Sequence, residues 1–388
     1  MVIIMNKKNV LVLFIYSFLN SFLLYRACDV LYYLSKGISN SEYISYLTIG
    51  SLITIIFLIP FGIIKDKYNR KYILIISNLF LLVATLFYIY SNNVYLMGIG
   101  IVMSAISNLL SQGIVISLLH SYIKDKSEYS KIYYKWSFFY YLGYLISMVL
   151  GGIVANYSLV SMYYISLIPI VINFIVLLLL DDKNEKTKEK NGTKYLIKES
   201  IKLLGNNKLL KAILLSEIII VPIADILAES HPEYLSNMGA STTLIGIYTA
   251  VMCLFAIVGN KIASMYKKQN NVFFIYSLLF TITLILIGLL NNYFSIIFII
   301  MFQCFFSITN NIYNTTVQNE CSDSYRQTVL AVFTFIVSIS EMVLCTITSF
   351  IFKSMGLGLS YVILGIGGII IILICFVYYK IVNNKVLE

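Results

Sequence analysis

Residues 62–74 read GIIKDKYNRKYIL and separate two long apolar runs, which lie near 43–64 and 72–90. A helix needs about 20 apolar residues to cross the hydrocarbon core of a bilayer, which is about 30 Å thick. Both runs approach or reach that length, and the segment between them is short, polar and rich in lysine and arginine. The sequence therefore predicts two transmembrane helices that are joined by a basic loop.

The same alternation of apolar runs and charged breaks continues along all 388 residues, of which 59% are hydrophobic and 12% are charged. An ordinary soluble domain is nearer to a quarter charged, so the bilayer is the solvent that suits this composition. The net charge of +10 does not indicate nucleic acid as a partner, because the charges lie in short clusters between apolar runs.

Counting the apolar runs gives twelve predicted transmembrane helices in an all-α integral membrane protein. A polar, lysine-rich stretch near the middle predicts an N-terminal six-helix bundle over 1–180, a cytoplasmic linker with a surface helix over 181–208, and a C-terminal six-helix bundle over 209–388. We expect the two bundles to be pseudo-symmetric. The predicted helices lie near 10–34, 43–64, 72–90, 94–119, 136–156, 162–180, 209–235, 243–262, 272–290, 293–318, 328–352 and 357–379.

The orientation follows from the distribution of positive charge. If the N-terminus is cytoplasmic, all but three of the 28 Lys and Arg residues fall on the cytoplasmic side, the exceptions being Arg26, Lys36 and Lys353. Cytoplasmic loops of membrane proteins carry an excess of these residues, so both termini are predicted to be cytoplasmic. The abundance of Ile, Lys, Asn and Tyr fits an AT-rich bacterial source, and therefore a bacterial plasma membrane.

The loop at 62–74 resembles the signature of the major facilitator superfamily, G-x-L-x-D-R/K-x-G-R-K-x-x-L, with Asn69 at the second glycine position. The resemblance implies the twelve-helix fold of that family. It also implies that Gly62, Asp66, Arg70 and Lys71 form a latch that holds the two halves in the outward-facing state. Gly62 would let two helices approach closely. The alternative is a generic basic cytoplasmic loop.

Two weaker motifs follow along the chain. Gln112 and the glycine after it resemble the end of the family's R-x-x-Q-G motif, but Leu109 stands at the arginine position, which puts that route of proton coupling in doubt. The fifth predicted helix, near 136–156, contains a stretch that resembles a degenerate form of the family's antiporter motif, in which Met148 replaces the proline. Its small residues suit close helix packing equally well, and they are Gly143, Gly151 and Gly152.

Polar residues recur at three- and four-residue spacing in several predicted helices, which places each set on one helix face. Such stripes favour a water-filled substrate cavity, and the alternative is hydrogen bonding between helices. Arg26 and Asp29 in helix 1 have a further alternative, a plain ion pair. The candidate cavity residues are Asn20, Arg26, Asp29, Asn108, Gln112, Glu229, Gln303, Asn310 and Asn314.

Acidic residues in the predicted membrane spans are the sharpest feature of the sequence. Glu217, Asp225 and Glu229 share one face of the seventh predicted helix, near 209–235, and Glu341 lies in the eleventh, near 328–352. A charged group in the bilayer is costly, and a buried carboxyl group takes up a proton more readily. We therefore predict that Glu217, Asp225 or Glu341 couples protons to transport. The alternatives are that Glu229 lies at the outer surface and that Glu217 reaches Lys211 or water.

These features predict a secondary transporter that resembles bacterial drug and small-molecule efflux permeases and works by alternating access with protons as the coupling ion. A proton symporter or facilitator for nutrient uptake is the alternative within transport. A polytopic membrane enzyme or a non-transporting sensor is the alternative from another class. We predict no catalytic residues, cofactor or metal, since the six cysteines and two histidines lack metal-ligand spacing. The expected partners are a small-molecule substrate, protons and the lipid bilayer, and the protein is expected to be a monomer.

Overall fold

The computed structural model describes residues 7–90, 94–123, 126–181, 207–266, 270–320 and 326–384. Within these ranges the regular secondary structure is helical and contains no β-strand. The helices are α1 (Lys7–Ser21), α2 (Asp29–Ser35), α3 (Asn40–Lys67), α4 (Arg70–Tyr90), α5 (Val94–Ser111), α6 (Ile114–Tyr122), α7 (Lys126–Tyr157), α8 (Leu159–Leu178), α9 (Lys208–Asn237), α10 (Thr242–Met265), α11 (Asn270–Leu290), α12 (Ser295–Glu320) and α13 (Arg326–Asn384).

Nine helical stretches in the described ranges are long and apolar enough to cross a membrane. One of them, Ala331–Ile381 in α13, has 51 residues. This is enough for two crossings of about 20 residues each, and the non-helical Gly356 separates them. The remaining two predicted crossings are the α1–α2 region, which is interrupted, and α9, whose acidic residues lower its hydropathy. The predicted all-α membrane architecture is therefore confirmed.

The first predicted helix, near 10–34, is not continuous. It consists of α1, a 3-10 turn at Leu24–Ala27, and α2. Neighbouring helices provide partners at the break, since the Leu24 N–H donates to Ser166 Oγ at 2.9 Å and the Ser21 hydroxyl donates to the Tyr140 carbonyl at 2.7 Å. Irregular backbone is tolerated at membrane depth only when protein groups satisfy it in this way. The expectation of a single helix was wrong for this reason.

Glycines mark two further interruptions. The predicted helix near 94–119 is divided into α5 and α6 at Gly113, whose φ is 78°. The predicted helices near 328–352 and 357–379 are both present within α13, and they are separated by a kink at Gly356 with φ 73° and ψ 176°. A side chain would be strained at either φ, so glycine is what allows these turns.

The chain divides into two compact units. Unit one comprises Met1–Ile38, Ile53–Lys188 and Ala240–Ala250, and unit two comprises Ser39–Leu52, Glu189–Gly239 and Val251–Glu388. The first residues of α3 thus belong to unit two and the first residues of α10 to unit one. The division into 1–180, 181–208 and 209–388 stays a prediction, and most of the predicted linker, residues 182–206, lies outside the described residues.

Close helix packing holds each unit together. In unit one, α1, α4, α6 and α8 enclose an apolar cluster that includes Leu13, Leu74, Leu118 and Leu177, each fully buried. In unit two, α11 and α13 approach so closely that a Cβ at Gly365 would lie 3.0 Å from the Thr281 carbonyl oxygen. Small residues are typical of membrane helix interfaces, where van der Waals contact drives association.

Candidate functional site

Acidic residues follow one face of α9 in unit two. Asp225 and Glu229 are four residues apart, and Glu233 follows after another four. Each such step turns the helix by about 40° and rises about 6 Å, so the three side chains form a ladder about 12 Å long. Sequence reasoning missed Glu233, although the same four-residue spacing would have found it.

Three carboxyl groups of unit two lie within electrostatic reach of one another. Asp225 and Glu229 come from α9, and Glu341 comes from α13. We call these three residues the acid cluster. The structure thus brings together two of the three residues that were predicted to couple protons, Asp225 and Glu341, with one that was predicted to line the substrate cavity, Glu229.

Hydroxyl groups from the beginning of α3 reach the acid cluster. The Tyr43 hydroxyl donates to Glu229 Oε2. The Ser51 hydroxyl contacts the Glu341 carboxyl group and also donates to the Leu47 carbonyl oxygen at 3.0 Å. Two elements of unit two, α9 and α13, are therefore each connected to α3 through a carboxyl group.

A serine contact adds to this connection between α3 and α13. Ser349 Oγ donates to the Ser41 carbonyl oxygen at 2.6 Å and lies 2.8 Å from Ser45 Oγ. These hydroxyl contacts hold the first turns of α3 against α13. They do not depend on the ionisation of an acid, in contrast to the contacts made by Tyr43 and Ser51.

Glu217 is separate from the acid cluster. It lies two turns, or about 12 Å, before Asp225 on α9, and its side chain is fully buried. Within the described residues, neither of its carboxyl oxygens has a hydrogen-bond partner. Lys211 was the alternative partner expected for Glu217, and its ammonium group lies instead over the ring of Tyr378, 5.8 Å from the ring centre. A carboxyl group without a partner in such a place is costly unless it is neutral.

The interrupted helix 1 places two candidate cavity residues among tyrosines in unit one. The Arg26 guanidinium hydrogen-bonds to the Tyr140 hydroxyl. Asp29 Oδ1 accepts a hydrogen bond of 2.8 Å from the Val30 N–H, and its carboxylate lies near several phenols, including that of Tyr163. The ion pair between these two residues and their role in substrate binding both stay predictions.

The other candidate cavity residues are distributed over both units. Asn20, Asn108 and Gln112 belong to unit one, and Gln303, Asn310 and Asn314 belong to unit two. The Asn314 amide donates to the Asn310 carbonyl and side-chain oxygens, both at 2.8 Å. This bond lies within α12 and does not join two helices, so the cavity role of these residues stays a prediction.

The loop at 62–74 places cations at helix ends. Lys71 Nζ donates to the Leu178 carbonyl at 2.7 Å, at the end of α8, and Lys65 Nζ donates to the Gln112 carbonyl at 3.1 Å, just after α5. Positive charge near a helix C-terminus is favourable. Asn69 Oδ1 accepts from the Lys71 N–H at 2.9 Å and so caps α4, which begins at Arg70.

For two residues of the predicted latch, Gly62 and Asp66, the described part of the chain shows no contact of the kind that the motif implies. No atom within the described residues lies within 4 Å of a Cβ built at Gly62, so the close helix approach expected there is not seen. The side chain of Asp66 lies outside the described part of the chain.

The three glycines of the motif near 143–152, which lie in α7, make close contacts within unit one. Gly143 faces Ser21 and Phe18, and Gly151 faces the Leu24 carbonyl, so both pack against the α1 region. A Cβ at Gly152 would lie 2.5 Å from the Thr242 carbonyl oxygen, at the start of α10. The packing role is therefore visible for all three positions, and a role in antiport stays a prediction.

Comparison with known proteins adds the family. The family model described as Major Facilitator Superfamily matches residues 10–345. A curated relative, an uncharacterized transporter from Buchnera aphidicola subsp. Schizaphis graminum (strain Sg), is 27% identical over 153 residues. That match spans 39% of this chain and 38% of the relative.

Solved structures of transporters share the fold. A mutant of the nucleoside transporter NupG matches with a TM-score of 0.80 at 13% identity and covers 95% of this chain and 99% of its own. A D-xylose-proton symporter matches with a TM-score of 0.74 at 14% identity, with 96% and 97% covered. A POT family transporter in complex with 5-aminolevulinic acid matches with a TM-score of 0.72 at 13% identity, with 96% of each chain covered. At these identities the likeness shows the fold, and the predicted fold is confirmed.

Proposed function

Because the chain belongs to the Major Facilitator Superfamily, we propose that it is a proton-coupled secondary transporter that exports small organic molecules from a bacterial cell by alternating access. The family and the apolar helices make it a multi-pass membrane transporter. The coupling ion, the direction and the substrate class are our proposal, as are the plasma-membrane location, the cytoplasmic termini and the monomeric state.

The acid cluster is the observation that supports proton coupling. Carboxylates within electrostatic reach of one another repel when all are ionised, and a bound proton or a bound cation relieves that repulsion. The repulsion is stronger inside a protein than in water, because the effective dielectric constant is lower. Asp225, Glu229 and Glu341 can therefore hold either protons or a positively charged substrate, which is the exchange that an antiporter requires.

The hydroxyl contacts of α3 would make the position of this helix depend on the charge of the acid cluster. Ser51 has one proton to donate, and it reaches the Leu47 carbonyl. Its lone pairs remain available to a protonated Glu341, whereas an ionised Glu341 competes for the Ser51 proton. Tyr43 responds in the opposite sense, since a hydrogen bond to an ionised acceptor such as Glu229 is about twice as strong as a neutral one. Changing the charge of the cluster thus changes how firmly α3 is held.

The remaining predicted residues take supporting roles in this proposal. Glu217 is a second carrier of a proton, because a neutral carboxyl group is the form that its buried position tolerates. The polar residues Asn20, Arg26, Asp29 and Gln303 contact substrate during the cycle. Gly62, Asp66, Arg70 and Lys71 act as the conformational latch that the family motif implies.

Export is favoured over uptake by the resemblance of Gly143–Gly152 to an antiporter motif. The alternative, a proton symporter or facilitator for nutrients, is supported by Met148 and Leu109, which depart from the antiporter and coupling motifs. A D-xylose-proton symporter also shares the fold. The family assignment favours transport over the enzyme and sensor alternatives.

Uptake into everted membrane vesicles tests the proposal, because an exporter in this orientation carries its substrate into the lumen. Ethidium is added outside the vesicles as a fluorescent probe, and a proton gradient that is acidic in the lumen is applied. We expect probe movement that stops when a protonophore collapses the gradient. Asp225→Asn and Glu341→Gln should each reduce gradient-driven movement by at least about tenfold, the effect of about 1.4 kcal/mol, while probe exchange without a gradient continues.

Asp181→Asn is the matched control. It also removes one carboxylate, but from a pair with Lys8 whose side chains are 60% and 61% exposed, and such pairs contribute little. Movement in the opposite direction would favour the symporter alternative. Unchanged proton-driven movement in charge-neutral variants of Glu217, Asp225 and Glu341 would remove the proposed coupling.

A further inference from the structure

One face of α12, in unit two, carries amide side chains and an aromatic ring that are partly exposed. At 100° and 1.5 Å per residue, its four residues fall within about 80° of one another over a length of about 16 Å. We call them the amide face, and they are Gln303, Phe306, Asn310 and Asn314. The opposite side of the helix is packed into unit two, where Ile312 is fully buried.

The composition of the amide face does not suit contact with lipid. The stretch Ser295–Val317 of α12 is long and apolar enough to cross a membrane, and the amide face lies inside it. Polar side chains within a membrane span are costly and almost always face the interior of the bundle or a water-filled cavity. The amide face is therefore a surface that meets water or substrate.

The Asn310 and Asn314 amides hold each other in one orientation. Asn314 Nδ2 donates to the Asn310 main-chain carbonyl oxygen and to Asn310 Oδ1, both at 2.8 Å. Because a main-chain carbonyl only accepts, the Asn314 atom that faces it is the nitrogen, and this nitrogen in turn requires the oxygen of the Asn310 amide. The pair therefore presents Asn310 Nδ2 as a donor and Asn314 Oδ1 as an acceptor.

Both of these atoms are free and accessible. Among the described residues neither Asn310 Nδ2 nor Asn314 Oδ1 has a hydrogen-bond partner, and neither is one of the fully buried atoms that lack a partner. An unpartnered atom that is not fully buried keeps surface open to its surroundings. A ligand can therefore reach a donor and an acceptor that lie one helical turn apart.

Phe306 adds a flat apolar surface next to these amides. It lies one turn before Asn310, and side chains four residues apart are neighbours on a helix. The centre of its ring is 6.1 Å from that of Phe280, which is fully buried. The Phe306 ring is thus supported from within unit two and remains partly exposed towards a ligand.

The chemistry of a fitting ligand follows from these groups. The free N–H group of Asn310 requires an acceptor, the free oxygen of Asn314 requires a donor, and the Phe306 ring favours a flat aromatic partner. The sequence from 295 to 317 contains no lysine, arginine, histidine, aspartate or glutamate. The part of the ligand that lies on the amide face is therefore best uncharged.

We propose that the amide face binds an uncharged heteroaromatic ring with carbonyl and N–H groups on its edge, and that this ring is part of the transported substrate. The ring stacks on Phe306, a carbonyl oxygen accepts from Asn310 Nδ2, and an N–H group donates to Asn314 Oδ1. Gln303 flanks the other end of the ring. The inference rests on the proposed function only where it identifies the ligand with the transported substrate.

Binding to the purified full-length protein in detergent tests this site. The probe is quinazoline-2,4-dione, and binding is measured by isothermal titration calorimetry. We expect Asn310→Ala and Asn314→Ala each to weaken binding at least about threefold, since one hydrogen bond is lost, and Phe306→Leu to weaken it at least about threefold through lost stacking. The analogue 1,3-dimethylquinazoline-2,4-dione keeps the ring and both carbonyls but has no N–H group, and it should bind at least about threefold more weakly.

Asn311→Ala is the matched control on the same helix. Asn311 is also partly exposed, but it lies about 60° further round the helix than Asn314. Its Nδ2 atom already donates to Asn260 Oδ1 at 3.3 Å. Binding should therefore change by less than about threefold, the effect of one hydrogen bond. Size-exclusion profiles and melting temperatures show that each variant is folded.

Several results would overturn the proposal: no binding to the wild type, equal binding of the dione and its dimethyl analogue, unchanged binding in any of the three amide-face variants, or an equal loss in Asn311→Ala. The binding measurement uses no proton gradient. Failure of proton-driven ethidium movement with intact dione binding would affect the proposed function alone, and absent dione binding with intact movement would affect this site alone.

Discussion

Replacing Tyr43 with Phe removes one hydroxyl group and keeps the ring, so it isolates the hydrogen bond between the beginning of α3 and Glu229. A hydrogen bond to a charged group contributes about 1.5–3 kcal/mol, but interhelical bonds in a membrane protein average about 0.6 kcal/mol and reach about 1.7. We therefore expect a loss of about 1–1.7 kcal/mol, because the acceptor is a carboxylate. This corresponds to a population of released α3 that is about 5- to 20-fold larger.

A thiol at Ser45 reports this release. Ser45→Cys is close in size, and Ser45 lies 2.8 Å from Ser349 Oγ while α3 is held against α13. If release is brief and precedes labelling, the rate of reaction with a maleimide follows the released population. We expect Tyr43→Phe to speed labelling by about 5- to 20-fold, after subtraction of the rate seen without the Ser45→Cys reporter.

A double-mutant cycle separates this bond from general loosening of the helix. In a Glu229→Gln background, the amide oxygen can still accept from the Tyr43 hydroxyl but carries no charge, so Tyr43→Phe should speed labelling less. An equal acceleration in both backgrounds, or none in either, would refute the reasoning that α3 is held by a carboxylate.

The close contacts and the helix break make further predictions, each measured as a melting temperature in detergent. Gly152→Val should destabilise the protein by about 1–3 kcal/mol, because a Cβ would lie 2.5 Å from the Thr242 carbonyl oxygen. Gly62→Ala, where no described neighbour lies within 4 Å of the added Cβ, should change stability by less than about 0.5 kcal/mol, and a large drop in melting temperature would contradict this contact analysis. Ser166→Ala should cost about 1–3 kcal/mol, because it leaves the buried Leu24 N–H without its acceptor, and an unchanged melting temperature would show that the break has another support.

The membrane fold could be predicted from the sequence because the bilayer imposes one rule on every span. Runs of about 20 apolar residues between charged breaks can be recognised without tertiary information. The basic loop at 62–74 gave the family by resemblance, and the family model over residues 10–345 confirms it. The same rule misses a span that tertiary contacts interrupt.

The break in helix 1 shows why the rest was not predictable. The residues around Leu24 are as apolar as their neighbours, and the partner that satisfies its N–H, Ser166, lies 142 residues away in the sequence. Gly62 shows the converse, because the motif suggested a close helix approach and no neighbouring helix in the described part of the chain comes within 4 Å of a Cβ there. Contacts between distant residues decide both cases, and one sequence does not contain them in readable form.

The candidate acids could be chosen from the sequence for a related reason, and their roles stay predictions. Glu217, Asp225 and Glu341 could be singled out because acids are costly in apolar spans. Their grouping depends on how α9 and α13 pack, which sets Glu217 apart and adds Glu229 to the cluster. Glu233 follows the same helical spacing and lies near the end of the predicted span at 209–235, so the spacing alone could have included it.

Proton release on substrate binding tests the central claim most directly. Purified protein in weakly buffered solution is mixed with ethidium, and a pH indicator records the protons released. If the acid cluster exchanges protons for substrate, the wild type should release protons on binding, and Asp225→Asn with Glu341→Gln should release fewer protons for each ethidium bound. Binding by the wild type without any proton release would contradict the account.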